Sequence, residues 1–136
     1  MSRSGYTYDC ESLELWRGAV RQAINGRRGQ QFFRDLLHAM DGSTDKRLVE
    51  GDLQCADGSC AMGLVASLRG VDVADIDDAF GDSCELVAPR LNIAMALAQE
   101  VAYVNDEEGP AQETPEQRFV RVRDWAEAQL AREGEG

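Results

Sequence analysis

The thiol and imidazole side chains, which supply most nucleophiles and soft metal ligands, are few in this chain. There is one histidine, His38, and there are four cysteines: Cys10, Cys55, Cys60 and Cys84. A single histidine rules out a multi-histidine metal centre. No two cysteines stand in the C-x-x-C arrangement of a structural zinc site. A set drawn from Cys55, Cys60, Cys84 and His38 contains no ligand pair at a usual spacing, so no metal and no cofactor is expected. Cys60 has the strongest case for reactivity. It opens a helical pattern, and the positive end of a helix dipole lowers a thiol pKa. Paired with His38, it would make a small Cys-dependent enzyme or a small-ligand binder. In the competing reading the thiols are small buried side chains and His38 is a half-buried helix residue between Leu37 and Met40. The scattered spacing favours that reading, and no catalytic residue is assigned.

Two other stretches carry candidate chemistry. Gly26-Arg27-Arg28-Gly29 lacks both the lysine–hydroxyl pair and the preceding strand of a phosphate-binding loop. Arg27 and Arg28 open a helical pattern and form an alternative anion-binding site, against the plainer reading of a solvated interhelix turn. Between Val71 and Glu85 stand Asp72, Asp75, Asp77, Asp78, Asp82 and Glu85, with no base among them. They do not match an EF-hand loop, which needs glycine at its sixth and glutamate at its twelfth position. They form either a solvated acidic surface or a docking surface for a basic partner.

The charge balance points the same way. The formal net charge of the 136 residues is −11, which disfavours direct nucleic-acid binding through a basic surface. It favours attraction to a basic groove on another protein. The charge is also uneven. From Arg17 to Arg47 seven basic residues face three acids, a local +4, so the rest of the chain carries −15. Hydrophobic residues make up 43% of the chain, enough for one core in a single domain. No apolar run approaches the length needed to cross a membrane, and the first residues lack the apolar centre of a signal peptide. A cytoplasmic location and reduced thiols are therefore expected.

These residues must be held by secondary structure, and its period is mostly helical. Residues 1–10 read as a flexible lead, 11–131 as one helical domain and 132–136 as a flexible tail. A first helix is predicted over Ser12–Ile24, with Leu13, Trp16, Val20 and Ile24 in its apolar stripe. A second follows over Arg28–Met40, with Phe33, Leu36, Leu37 and Met40 at i, i+3, i+4 and i+7. The short link between them suggests an antiparallel helical hairpin. From Val49 to Cys55 apolar and polar residues alternate, so a short strand or small hairpin is expected within residues 47–58. After the Asp57-Gly58 turn two continuations are open. Either Cys55 sits across a hairpin from Cys60, or Ser59 caps a helix over Cys60–Arg69; the apolar spacing favours the helix, with Gly70 as its stop. A lone strand needs a partner, either a small hairpin or an edge paired across a homodimer. The acidic stretch reads as a linker tethered by Ile76 and Phe80. A long helix over Pro89–Asn105 comes next, and Pro89 would kink it if it began at Ser83. Thr114-Pro115-Glu116-Gln117 is a capping box that opens the last helix. The fold class is mainly α: a compact bundle of about five helices with one short strand or small hairpin.

GRRGQQFFRDLLHAMD, KRLVEGDL, DGSCAMG, LRGVDV and LAQEVAYVNDE together resemble a group of short proteins of tailed phages and prophages, from about Trp16 to Trp125. The resemblance carries no catalytic residue. It implies a phage source and a host cytoplasm as the workplace. With the acidity, it leads to the expectation of a non-enzymatic interaction protein that binds a basic surface of a host protein or complex. A DNA-mimicking or anti-CRISPR-type inhibitor of a nucleic-acid-targeting defence complex fits that description. The expected contact residues are Asp72, Asp75, Asp77, Asp78, Asp82 and Glu85.

Overall fold

Where apolar residues recur at helical spacing, the chain is helical. The computed structural model describes residues 3–4, 13–77 and 82–130. Among them six helices and one two-stranded hairpin form a mainly α fold. They are α1 (Leu13–Asn25), α2 (Arg27–Gly42), β1 (Gln54–Cys55), β2 (Gly58–Ser59), α3 (Ala61–Arg69), α4 (Ser83–Arg90), α5 (Met95–Asp106) and α6 (Pro115–Gln129).

One core joins them. The fully buried Phe32, Phe33, Leu36 and Met40 of α2 meet Met62 and Val65 of α3, Leu97 and Val101 of α5 and Val122 of α6. α2 packs on α3 and α6, α4 on α5, and α1 on both α2 and α5. Phe33 lies edge-on to both Phe32 and Trp125, with centroids 5.5 and 5.3 Å apart, the arrangement that ring quadrupoles prefer. Only Gly26 separates α1 from α2, and the two helices pack on each other. Gly29 makes that turn possible, because a Cβ there would collide with the Ala23 carbonyl. The capping box at Thr114 forms as the sequence implies. The Thr114 hydroxyl accepts from the Gln117 amide at 3.1 Å, and the Gln117 side chain accepts from the Thr114 amide at 2.9 Å.

Three local expectations are corrected. First, the hairpin and the helix after it are not alternatives, because both form. The two-residue loop is Ala56-Asp57, with Cys55 opposite Gly58 and Gln54 opposite Ser59, so Cys55 does not face Cys60. The period-two burial holds from Val49 to Gln54, with Val49, Gly51 and Leu53 less exposed than Glu50, Asp52 and Gln54, but Cys55 is exposed, Gly51 takes φ +79° and only Gln54–Cys55 is strand. Second, Cys60 rather than Ser59 is the N-cap of α3, and its own side chain makes no cap bond. The cap comes from another helix, since the Asn105 Oδ1 of α5 accepts from the Ala61 amide at 3.1 Å. Gly70 does end α3, with φ +69°. Third, the long helix over Pro89–Asn105 is two helices. α4 begins at Ser83 and holds Pro89 in its last turn, and the chain breaks at Leu91–Ala94 before α5. Asn92 takes φ +54° at the break, a left-handed conformation that asparagine tolerates. The Arg69 Nη1 satisfies the freed Leu91 carbonyl at 2.6 Å.

The leading residues also differ from expectation where they are described. Arg3 and Ser4 are buried against the body of the fold rather than loose.

Candidate functional site

The acidic connection between α3 and α4 is held by two apolar anchors. Val73 and Ile76 are buried, and the Ile76 amide donates to the Val73 carbonyl at 3.1 Å. The Asp72 carboxylate accepts from the Ala74 amide at 2.9 Å, closing an Asx turn that fixes the loop. With Val73 and Ile76 turned inward, the acids between and beside them face outward. Asp72, Asp75, Asp77, Asp82 and Glu85 are all exposed. Asp78 and Phe80, the second expected tether, lie outside the described residues.

The expectation that no base compensates these acids is corrected. Arg90, on the last turn of α4, reaches back across the connection. Its two Nη atoms donate to the two Asp75 carboxylate oxygens at 2.5 and 2.8 Å, and Nη1 also donates to the Asp72 carbonyl at 3.2 Å. These hydrogen bonds hold the Asp75 carboxyl below its ordinary pKa and raise that of Arg90. Asp82 is the N-cap residue of α4 without a side-chain cap bond, and Glu85 stands in its first turn, where the helix dipole favours a negative charge.

The residues of the alternative sites lie apart from the acidic connection. Arg27 and Arg28 are exposed at the start of α2, and the Arg28 Nη1 donates to the Asn92 side chain at 3.2 Å. His38 is exposed on α2 rather than half-buried. Cys60 is 1% exposed, and the hydrogen-bond partner of its Sγ is the Arg3 Nη1, at 3.5 Å, not His38. Cys84 is buried while Cys55 is exposed. Among the described residues no group of three or more His, Cys, Asp or Glu side chains is placed to hold a metal ion. No described helix is long and apolar enough to cross a membrane.

Sequence reasoning missed a polar cluster built around Arg3. Its Nε and Nη2 donate to the two Asp106 carboxylate oxygens at 2.8 and 2.7 Å. The Asp106 Oδ1 also accepts from the Gly51 amide at 3.0 Å and from the Asn105 side chain at 2.9 Å. The Cys84 thiol donates to the Arg3 carbonyl at 3.2 Å, and the Ser4 hydroxyl donates to Glu107 at 2.6 Å. Burial opposes the charge on Arg3, but the Cys60 sulfur and Asp106 outweigh it and raise its pKa above the ordinary value. Burial likewise pushes the Asp106 carboxyl up, yet Arg3, Gly51 and Asn105 hold it below its ordinary range. The strongest local signal was Asn105-Asp106 at a helix end, and that dipeptide does not announce a partner about a hundred residues away.

Comparison of the chain with protein-family models, curated proteins and solved structures finds no match.

Proposed function

We propose that the chain is an acidic interaction protein and that the α3–α4 edge is its contact surface for a basic partner. The observation that carries this reading is the outward placement of Asp72, Asp75 and Asp77 beside the buried anchors Val73 and Ile76, and of Asp82 and Glu85 at the start of α4. Like charges on a fixed loop repel one another, and a partner's Lys and Arg side chains relieve that repulsion and speed encounter. In the phage setting that the resemblance implies, the fitting partner is the nucleic-acid-binding surface of a host defence complex. The protein would act there as an inhibitor that mimics DNA charge. Arg90 limits the effective charge of the edge, so Asp82 and Glu85 carry more of the attraction than Asp75.

The test uses an arginine-rich surface that also binds duplex DNA. The Asp77→Lys, Asp82→Lys, Glu85→Lys triple variant is expected to associate at least about tenfold more slowly than wild type. It should also lose most of the salt dependence, because exposed charges are screened over about 8 Å at physiological ionic strength. Wild type should compete with DNA for that surface, and the variant should not. A control with Arg27→Glu and Arg28→Glu should leave the rate unchanged or raise it. If only the control alters binding, the site moves to the start of α2.

A further inference from the structure

The Arg3 cluster lies outside the acidic edge and takes no part in the proposed contact. Its geometry is that of a receptor and a ligand. The receptor comes from well-separated parts of the chain: Cys60 at the start of α3, Cys84 in α4, Asn105 and Asp106 at the end of α5, and the amide of Gly51. Two donors from the body of the fold, Gly51 and Asn105, orient the Asp106 carboxylate independently of Arg3. Asn105 is itself fixed, because its Nδ2 donates to the Val49 carbonyl at 2.9 Å and its Oδ1 accepts from Ala61. The acceptors therefore engage all three guanidinium nitrogens: the two carboxylate oxygens take Nε and Nη2, and the Cys60 sulfur takes Nη1. Three acceptors shared in this way suit the rigid fork of a guanidinium better than a point-like ammonium.

We propose that this recess is a guanidinium-binding site, that Arg3 is a ligand supplied by the chain itself, and that a guanidinium from solution takes its place when Arg3 is removed. Occupancy then controls access to one thiol. Cys60 is 1% exposed and touches the Arg3 guanidinium, whereas Cys84 donates to the Arg3 carbonyl, which a side-chain substitution keeps. An empty recess opens Cys60 to solvent, while Cys55 on the hairpin is exposed in either state.

The experiment is site-resolved alkylation of the folded protein, with Cys55 as internal reference. In Arg3→Ala, the alkylation of Cys60 relative to Cys55 should rise about ten- to a hundredfold, the range expected for loss of a charge-assisted hydrogen bond, while Cys84, held at the residue-3 carbonyl, keeps its partner. Millimolar methylguanidinium should restore most of the protection, and methylammonium at the same concentration should not. The restoration should vanish in Arg3→Ala with Asp106→Asn. Unchanged alkylation of Cys60 in Arg3→Ala, or equal protection by the two cations, would overturn the proposal. If Arg3→Ala does not fold, Arg3→Lys carries the same test, since lysine keeps the charge and lacks the fork. If neither variant folds alone, folding on addition of methylguanidinium supports the site, and failure to fold with it refutes the site.

Discussion

Two arginine–aspartate pairs in this protein share a geometry and differ in their surroundings. Arg3 grips Asp106 with two N–H···O bonds of 2.8 and 2.7 Å, and Arg90 grips Asp75 with two of 2.5 and 2.8 Å. The side chains of the first pair are 3% and 14% exposed, and those of the second 32% and 66%. Bond lengths alone would rank the pairs as equals. Solvent separates them. An exposed pair is screened and gives up side-chain freedom for little gain, whereas a buried pair leaves a costly naked charge when one partner is removed. The first pair therefore acts as a structural tie between Arg3 and the end of α5. The second mainly trims the charge of the acidic edge.

The largest effect should come from breaking the buried pair. Asp106→Ala leaves the Arg3 guanidinium buried without its carboxylate and frees the Gly51 amide. The expected loss is about 3–5 kcal/mol, read from urea or thermal unfolding. The pH dependence has a definite sign. Asp106 has a folded-state pKa below its unfolded value, so its contribution is fully present above about pH 4 and is lost as pH falls through the depressed folded value. Asp106→Asn should therefore show a flatter loss of stability in acid than wild type. Glu113, held below its ordinary pKa by Arg121, titrates in both proteins and cancels from the comparison. Parallel acid profiles would mean that the Arg3 pair contributes little to stability.

Neither pair could be read from the chain, because their partners stand 103 and 15 residues apart with no local pattern joining them. The features that could be read were local. The helices α1, α2, α3 and α6 follow from apolar spacing, and the start of α6 follows from its capping box, since both signals lie within a few residues. The break between α4 and α5 was not legible. Leu91, Ile93 and Leu97 continue an apolar pattern across it, and the groups that accommodate the break, Arg69 at the Leu91 carbonyl and Arg28 at the Asn92 side chain, come from α3 and α2. The cap of α3 is not legible at Ser59 for the same reason, because Asn105 supplies it from α5. Of the candidate site, the exposure of the acids followed from their density. Their partial neutralisation by Arg90 did not, because it required the fold of α4 back across the connection.

A neutral exposed interaction gives the scale between the two pairs. Thr114→Ala removes the hydroxyl that accepts the Gln117 amide. The expected cost is about 1 kcal/mol in the unfolding free energy, well below that of Asp106→Ala. If the two variants lost equal stability, burial would not be what separates the two arginine–aspartate pairs.

The smallest effect on stability belongs to the exposed pair, and there association is the more informative readout. Neither Arg90→Gln nor Asp75→Asn should move the unfolding midpoint beyond error, since both side chains stand in solvent-screened positions. Their effects on encounter with an arginine-rich partner should have opposite signs. Arg90→Gln removes the base that spans Asp75 and the Asp72 carbonyl, so the edge becomes more negative and association speeds up. Asp75→Asn removes an acid and leaves Arg90 uncompensated, so the edge becomes less negative and association slows. Both changes should shrink as salt rises, because they act through the field at the loop and not through a contact buried in the complex. Rates shifted in the same direction, or not at all, would assign the acidic edge to solubility. Opposite shifts that vanish at high salt would identify the edge as the docking surface, with Arg90 setting its strength.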